Sequence, residues 1–187
     1  MNHVEQNLTN EIVALLIRED LHPRAIADNL KSNHATVLRK LRDLTDENVV
    51  DFRMEGKNKV FRLKKTIEGW NAAKIAEISK QSFIVAKYPV LRGIFQAVIE
   101  MPDIPLVILY GSYAKGTARK ESYIDIYLDT DDSRKKKMLE LKNSRVSAKI
   151  GAFDTKNMLI REIMKDHVII RGVEAYFDKT GFFEETA

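Results

Sequence analysis

The sequence predicts an α/β (α+β) protein in two parts: a helical segment closed by a β-hairpin, then a mixed sheet flanked by helices. Three observations predict it. Residues 8–48 carry apolar side chains at helical spacing, residues 50–63 change to alternation about a glycine, and beyond residue 88 short apolar runs alternate with helix-like stretches. A chain of 187 residues can bury a sizeable core, and 44% hydrophobic with 31% charged residues is an ordinary globular balance.

Leu8-Thr9-Asn10-Glu11 ahead of Ile12, Val13, Leu15 and Leu16 reads as an amphipathic helix capped by Thr9 or Asn10. Pro23, after His22, opens a second helix with Ala25, Ile26 and Leu30 on one face. Ser32-Asn33 supplies a turn and a cap for a third helix. That helix keeps Val37, Leu38, Leu41 and Leu44 inward and leaves His34, Thr36, Arg39, Lys40 and Arg42 on other faces. Val50, Phe52 and Met54, the turn Glu55-Gly56-Lys57-Asn58, and Val60, Phe61 and Leu63 form a hairpin. Residues 66–86, with Ile67, Trp70, Ala73, Ile75, Ile78 and Ala86, read as a connecting helix that either pairs two chains or, through Trp70, packs the chain's own two domains together. Another helix runs from Pro89 to the break at Met101-Pro102.

The net charge is +4, and residues 31–65 hold more than all of it, with ten Lys and Arg against five Asp and Glu. Zero cysteines exclude disulfides, thiol catalysis and iron–sulfur ligation, and His3, His22, His34 and His167 show no metal-ligand spacing. No apolar run approaches the roughly 18–20 residues of a bilayer span, and Met1 to Gln6 lack a basic stretch followed by an apolar one. A cytoplasmic protein without a membrane partner is expected.

Residues 8–65, and above all "HATVLRKLRDLTDENVVDFRMEGKNKVFRLK", resemble the winged helix-turn-helix domains of archaeal and bacterial transcription regulators. The resemblance implies duplex DNA as partner. The third helix would enter the major groove with His34, Thr36, Arg39 and Lys40 toward base edges or phosphates. Arg53, Lys57, Asn58 and Lys59 on the wing would meet the flanking backbone. The alternative is a solvated charged face on a protein-docking module, and the interleaved Asp43, Asp46, Glu47, Asp51 and Glu55 weaken non-specific attraction to DNA.

The run Leu106 to Tyr110 is stopped by Gly111-Ser112, with Gly116 shortly after: strand, tight turn, helix. Such a turn lets backbone N–H groups approach a phosphate. The next strand is Tyr123 to Leu128, where Asp125 shares a face with Tyr123 and Tyr127. "LYGSYAKGTARKESYIDIYL" resembles the signature of the polymerase-beta nucleotidyltransferase superfamily, specifically its minimal nucleotidyltransferases, over about residues 88–177. The family pattern is Gly-Ser, ten residues, then Asp-x-Asp. It implies that Gly111, Ser112 and Lys115 bind a nucleotide or other anion, and that Asp125 is a catalytic, Mg²⁺-binding carboxylate if the protein is active.

The departures matter as much. Tyr123 stands where the first aspartate belongs, and a neutral phenol is a poor Mg²⁺ ligand. No acid occurs on the expected strand 146–153, which should carry the third carboxylate. Asp154 reads as a helix N-cap, and Asp129, Asp131 and Asp132 as a loop capping the next helix. Lys149 fits a replacement cation in the third acid's neighbourhood, while Lys115, Arg119 and Lys120 are each either phosphate contacts or plainly solvated.

The expected organisation is a winged helix-turn-helix at 1–65, a connecting or dimerisation helix at 66–86 and a nucleotidyltransferase-like domain at 87–187. The expected function is a homodimeric DNA-binding regulator whose second domain is inactive, requires no cofactor, and serves in ligand sensing or dimerisation. The alternative is an active enzyme transferring a nucleoside monophosphate to a protein or small-molecule hydroxyl with Mg²⁺, as an antitoxin would.

Overall fold

A computed structural model describes residues 3–184, with side chains from Asn7 onward; Met1 and Asn2, which entered the targeting argument, lie outside the described residues. The chain divides into two compact units, 1–79 and 80–187. No single helix among the described residues is long and apolar enough to cross a membrane.

The first unit contains α1 (His3–Leu16), α2 (Pro23–Leu30), α3 (His34–Asp46), β1 (Val50–Glu55), β2 (Asn58–Leu63) and the beginning of α4 (Ile67–Lys87). The first helix starts well before the expected cap, so Thr9 and Asn10 lie inside it. The apolar stripe marks where a helix packs, not where it begins. Asn10 instead donates its amide to Ser79 Oγ at 2.7 Å.

Three residues join α2 to α3. Lys31 takes the left-handed conformation at φ 49°, and Asn33 caps α3 by accepting the Ala35 N–H at 2.8 Å. Val37, Leu41 and Leu44 are buried inside, each side chain stabilising by about 1.5–3 kcal/mol. Two assignments on this helix change. Leu38 is 39% exposed and Lys40 only 5% exposed. At 100° per residue Leu38 turns away from the Val37 stripe, whereas Lys40, three residues after Val37, returns to its edge.

The strands β1 and β2 form the hairpin, antiparallel from Val50–Leu63 to Glu55–Asn58. Gly56 turns it at φ +61°; nothing lies within 4 Å of an added Cβ, so the conformation and not crowding selects glycine. Leu21, between α1 and α2, exchanges two backbone hydrogen bonds with Phe61 at 2.9 and 3.0 Å. It acts as a third, one-residue strand.

In the second unit, after the end of α4, a 3₁₀ turn (Pro89–Leu91) leads into α5 (Arg92–Ile99), β3 (Val107–Tyr110), α6 (Gly111–Ala114), β4 (Ile124–Asp129), α7 (Ser133–Glu140), β5 (Val146–Gly151), α8 (Met158–Lys165), β6 (Val168–Arg171) and α9 (Val173–Thr180). The four-stranded sheet has the order β5-β4-β3-β6 and is mixed, with β4 and β5 parallel and the other pairs antiparallel. Ile124, Ile126 and Leu128 face a core shared with α5, Leu139 of α7, and Val168 and Ile170 of β6. By the two-residue period Asp125, Tyr127 and Asp129 take the other face, where Tyr127, Phe153 and Tyr176 form a chain of edge-on rings. The expected mixed sheet flanked by helices is present.

Two aspartates differ from expectation. Asp129 is not in a loop: it ends β4, buried, accepting the Phe153 N–H at 3.0 Å and pairing with Lys179 Nζ at 3.0 Å. Asp154 does not cap α8. It accepts the Lys156 N–H in the preceding turn, and Asn157 caps the helix by accepting the Leu159 N–H. Asp132 does cap α7, and Arg134 holds its carboxyl down at about 2.

Candidate functional site

Four apolar residues make β3 a buried strand, and Gly111 starts α6 directly at its end. Gly111 is needed twice. Its φ is +69°, and a Cβ there would come 2.5 Å from Asp125 Oδ2. The Gly-Ser turn is therefore pressed against the one acid of the expected pair. Asp125 sits opposite Tyr110 in the β3–β4 pairing. Burial pushes its carboxyl above the ordinary range, and the Lys149 ammonium partly counteracts this. Burial first, and the Asp125 charge second, likewise raise the Tyr110 phenol.

In the parallel β4–β5 register Asp125 lies opposite Ser147 and Tyr127 opposite Lys149. Ser147 and Lys149 thus share the Asp125 face, with a hydroxyl and an ammonium where further carboxylates would be needed. Tyr123 precedes β4 and is 65% exposed. Asp129 is on the right face but is held by Phe153 and Lys179. Among the described residues no three His, Cys, Asp or Glu side chains are grouped to hold a metal ion. One carboxylate, raised by burial and faced by a lysine, does not fit the two divalent ions that a nucleotidyltransferase site takes, because their mutual repulsion requires clustered negative charge.

Around the turn, Ser112 places its carbonyl against the Thr117 N–H at 2.9 Å. Lys115 is exposed, and its charge helps hold Glu162 low after the larger effect of Lys165. Gly116, at φ +70°, receives a hydrogen bond on its carbonyl from Lys87 Nζ at 2.8 Å. Arg119 and Lys120 are exposed. Lys87, Tyr88 and Arg145, which share a cavity with these two, carried no signal in the sequence because they come from distant segments.

The second candidate site is the cationic face of the first unit. His34 and Arg39 are exposed and Thr36 is half-buried. Lys40 is withdrawn, its ammonium 3.8 Å from Asp43. Arg53 is engaged by Asp20 and by Glu55 at 2.8 Å. Lys57 and Asn58 stand exposed at the hairpin turn, and Lys59 lies 3.8 Å above the Phe52 ring. The Lys59 carbonyl accepts from His22 Nδ1 at 3.0 Å, which ties the start of α2 to β2.

Residues 94–176 match the model of the family described as polymerase beta, nucleotidyltransferase. The matched span runs from α5 to α9 and includes the Gly-Ser turn, Asp125 and all four strands of the mixed sheet, so this part of the chain is nucleotidyltransferase-like. No curated protein matches the chain.

Proposed function

We propose that the protein is a DNA-binding transcriptional regulator: a winged helix-turn-helix joined to a catalytically inactive nucleotidyltransferase-like domain that senses an anionic ligand or pairs two chains. The observation that carries the reading is the Asn33-capped α3, joined to α2 by three residues, with His34 and Arg39 exposed along it and Lys57 to Lys59 exposed on the adjoining hairpin. The Leu21 bridge to Phe61 adds the short third strand that braces a wing. In this reading α3 lies in the major groove, Arg39 reaches bases or phosphates, and Lys57 and Asn58 meet the flanking backbone. Lys40 and Arg53 support the fold instead. The active-enzyme alternative is weaker, since Lys149 and Ser147 stand on the Asp125 face in place of acids.

The test is an electrophoretic mobility shift of the full chain on duplex DNA across about 50–200 mM salt. Binding is expected to fall steeply, by about 0.9 log units per log unit of salt for each phosphate contact. Arg39→Ala should weaken binding about tenfold, a base contact being worth about 1–3 kcal/mol, whereas Lys40→Met leaves it within twofold. No shift at low salt, or equal effects of the two substitutions, overturns the reading.

A further inference from the structure

The segment 111–122 has two sides. On one, Gly111 meets Asp125. On the other opens a cavity of about 260 Å³ walled chiefly by Lys87, Tyr88, Tyr113, Arg119, Lys120 and Arg145. Tyr113 is buried in the core with Ile124, Ile126 and Leu128. Those residues alternate along β4 with Asp125, so this cavity lies across the sheet from the carboxylate and is separate from the Gly-Ser site.

Its lining has four cations and no carboxylate. Some cations elsewhere are paired, Arg53, Arg62, Arg134, Lys165 and Lys179 each lying within 4 Å of an acid. Lys87, Arg119, Lys120 and Arg145 make no ion pair among the described residues. Two of them are positioned nonetheless, since Lys87 donates to the Gly116 carbonyl at 2.8 Å and Arg145 to the Lys120 carbonyl. These bonds orient the cations without cancelling their charge, so the repulsion among four positive groups is left for an anion to relieve. The remaining wall is flat and apolar. The Tyr88 ring packs edge-on against Tyr113 at 5.0 Å and 71°, and Pro89, Val90 and Ala118 adjoin it.

We propose that this cavity binds a small phosphate ester with a flat apolar end, of the class of nucleoside monophosphates. The guanidinium forks of Arg119 and Arg145 suit bidentate contact with phosphate oxygens, Lys87 and Lys120 supply point charges, and Tyr88 offers a ring for stacking. The volume, just below the roughly 300–1,000 Å³ of sites for drug-sized ligands, is of the order a small phosphate ester needs. The proposal deepens the sensing half of the reading above, and a test without DNA keeps its failure separate from that of DNA binding.

Isothermal titration calorimetry on the full chain would use AMP, UMP, inorganic phosphate and adenosine. Both monophosphates are expected to bind, more weakly as salt rises; inorganic phosphate should bind at least about fivefold more weakly than AMP, and adenosine not at all. The double substitution Arg119→Ala with Lys120→Ala, at two exposed positions, should cost at least tenfold in AMP affinity with an unchanged melting temperature, whereas Asp125→Asn leaves AMP affinity alone. No heat with either monophosphate at millimolar concentration, unaltered affinity in the double variant, phosphate as tight as AMP, or loss on Asp125→Asn would each overturn it.

Discussion

Asp125 carries a cost that its neighbours only partly offset. Burial raises its folded-state pKa above the ordinary 3.8 despite Lys149, so ionising it is harder in the folded chain than in the unfolded one. Below pH 3.8 the group is protonated in both states and the penalty vanishes; as pH rises through the folded value the penalty appears in full. Thermal melts of Asp125→Asn are therefore expected to show a raised melting temperature near pH 7 and little change near pH 3. A variant equally stabilised at both values would place the effect in packing. Lys40 and Arg39 make the other lesson at this scale. They are adjacent in sequence, yet one extends its stem along the α3 core edge while the other stands in solvent, and composition alone treats them alike.

Within the elements, caps and strand register fix where side chains fall. Asn33 satisfies the Ala35 N–H at the start of α3, so Asn33→Ala should cost about 1 kcal/mol in chemical denaturation. An unchanged midpoint would show that the cap bond does not hold in solution. Strand pairing decides where a third carboxylate belongs. Sequence reading pointed to the span 146–153 without a position, and the parallel register puts Ser147 opposite Asp125. The unmodified protein is expected to transfer no nucleotide from ATP, CTP, GTP or UTP with Mg²⁺ or Mn²⁺. Tyr123→Asp combined with Ser147→Asp should strengthen Mg²⁺ binding by calorimetry more than Tyr123→Asp alone. Radiolabel incorporation by the unmodified chain, lost in Asp125→Ala, would make it an enzyme after all.

For the whole molecule, a regulator of the proposed kind that reads a two-fold site binds it as two chains. Ile67, Ile75 and Ile78 are at least half exposed on α4, at spacings that gather them on one side of the helix. Sedimentation velocity at micromolar concentration should show a dimer, and Ile75→Glu with Ile78→Glu a monomer; a wild-type monomer with and without DNA removes the pairing role. The features legible in the residue order are local. The Ser32-Asn33 turn and cap before α3, the glycine turn of the hairpin, and the Gly-Ser break followed at fixed spacing by Asp125 are all legible, because capping, left-handed backbone and alternation act over a few neighbouring residues. The start of α1, the burial of Lys40, the capture of Asp129 by Lys179, the approach of Lys149 to Asp125, and the joining of Lys87, Arg119 and Arg145 around one cavity were decided by the tertiary structure. Each depends on which helix edge meets a core or on pairing between segments far apart in the chain, and no local pattern of residue types encodes that distance.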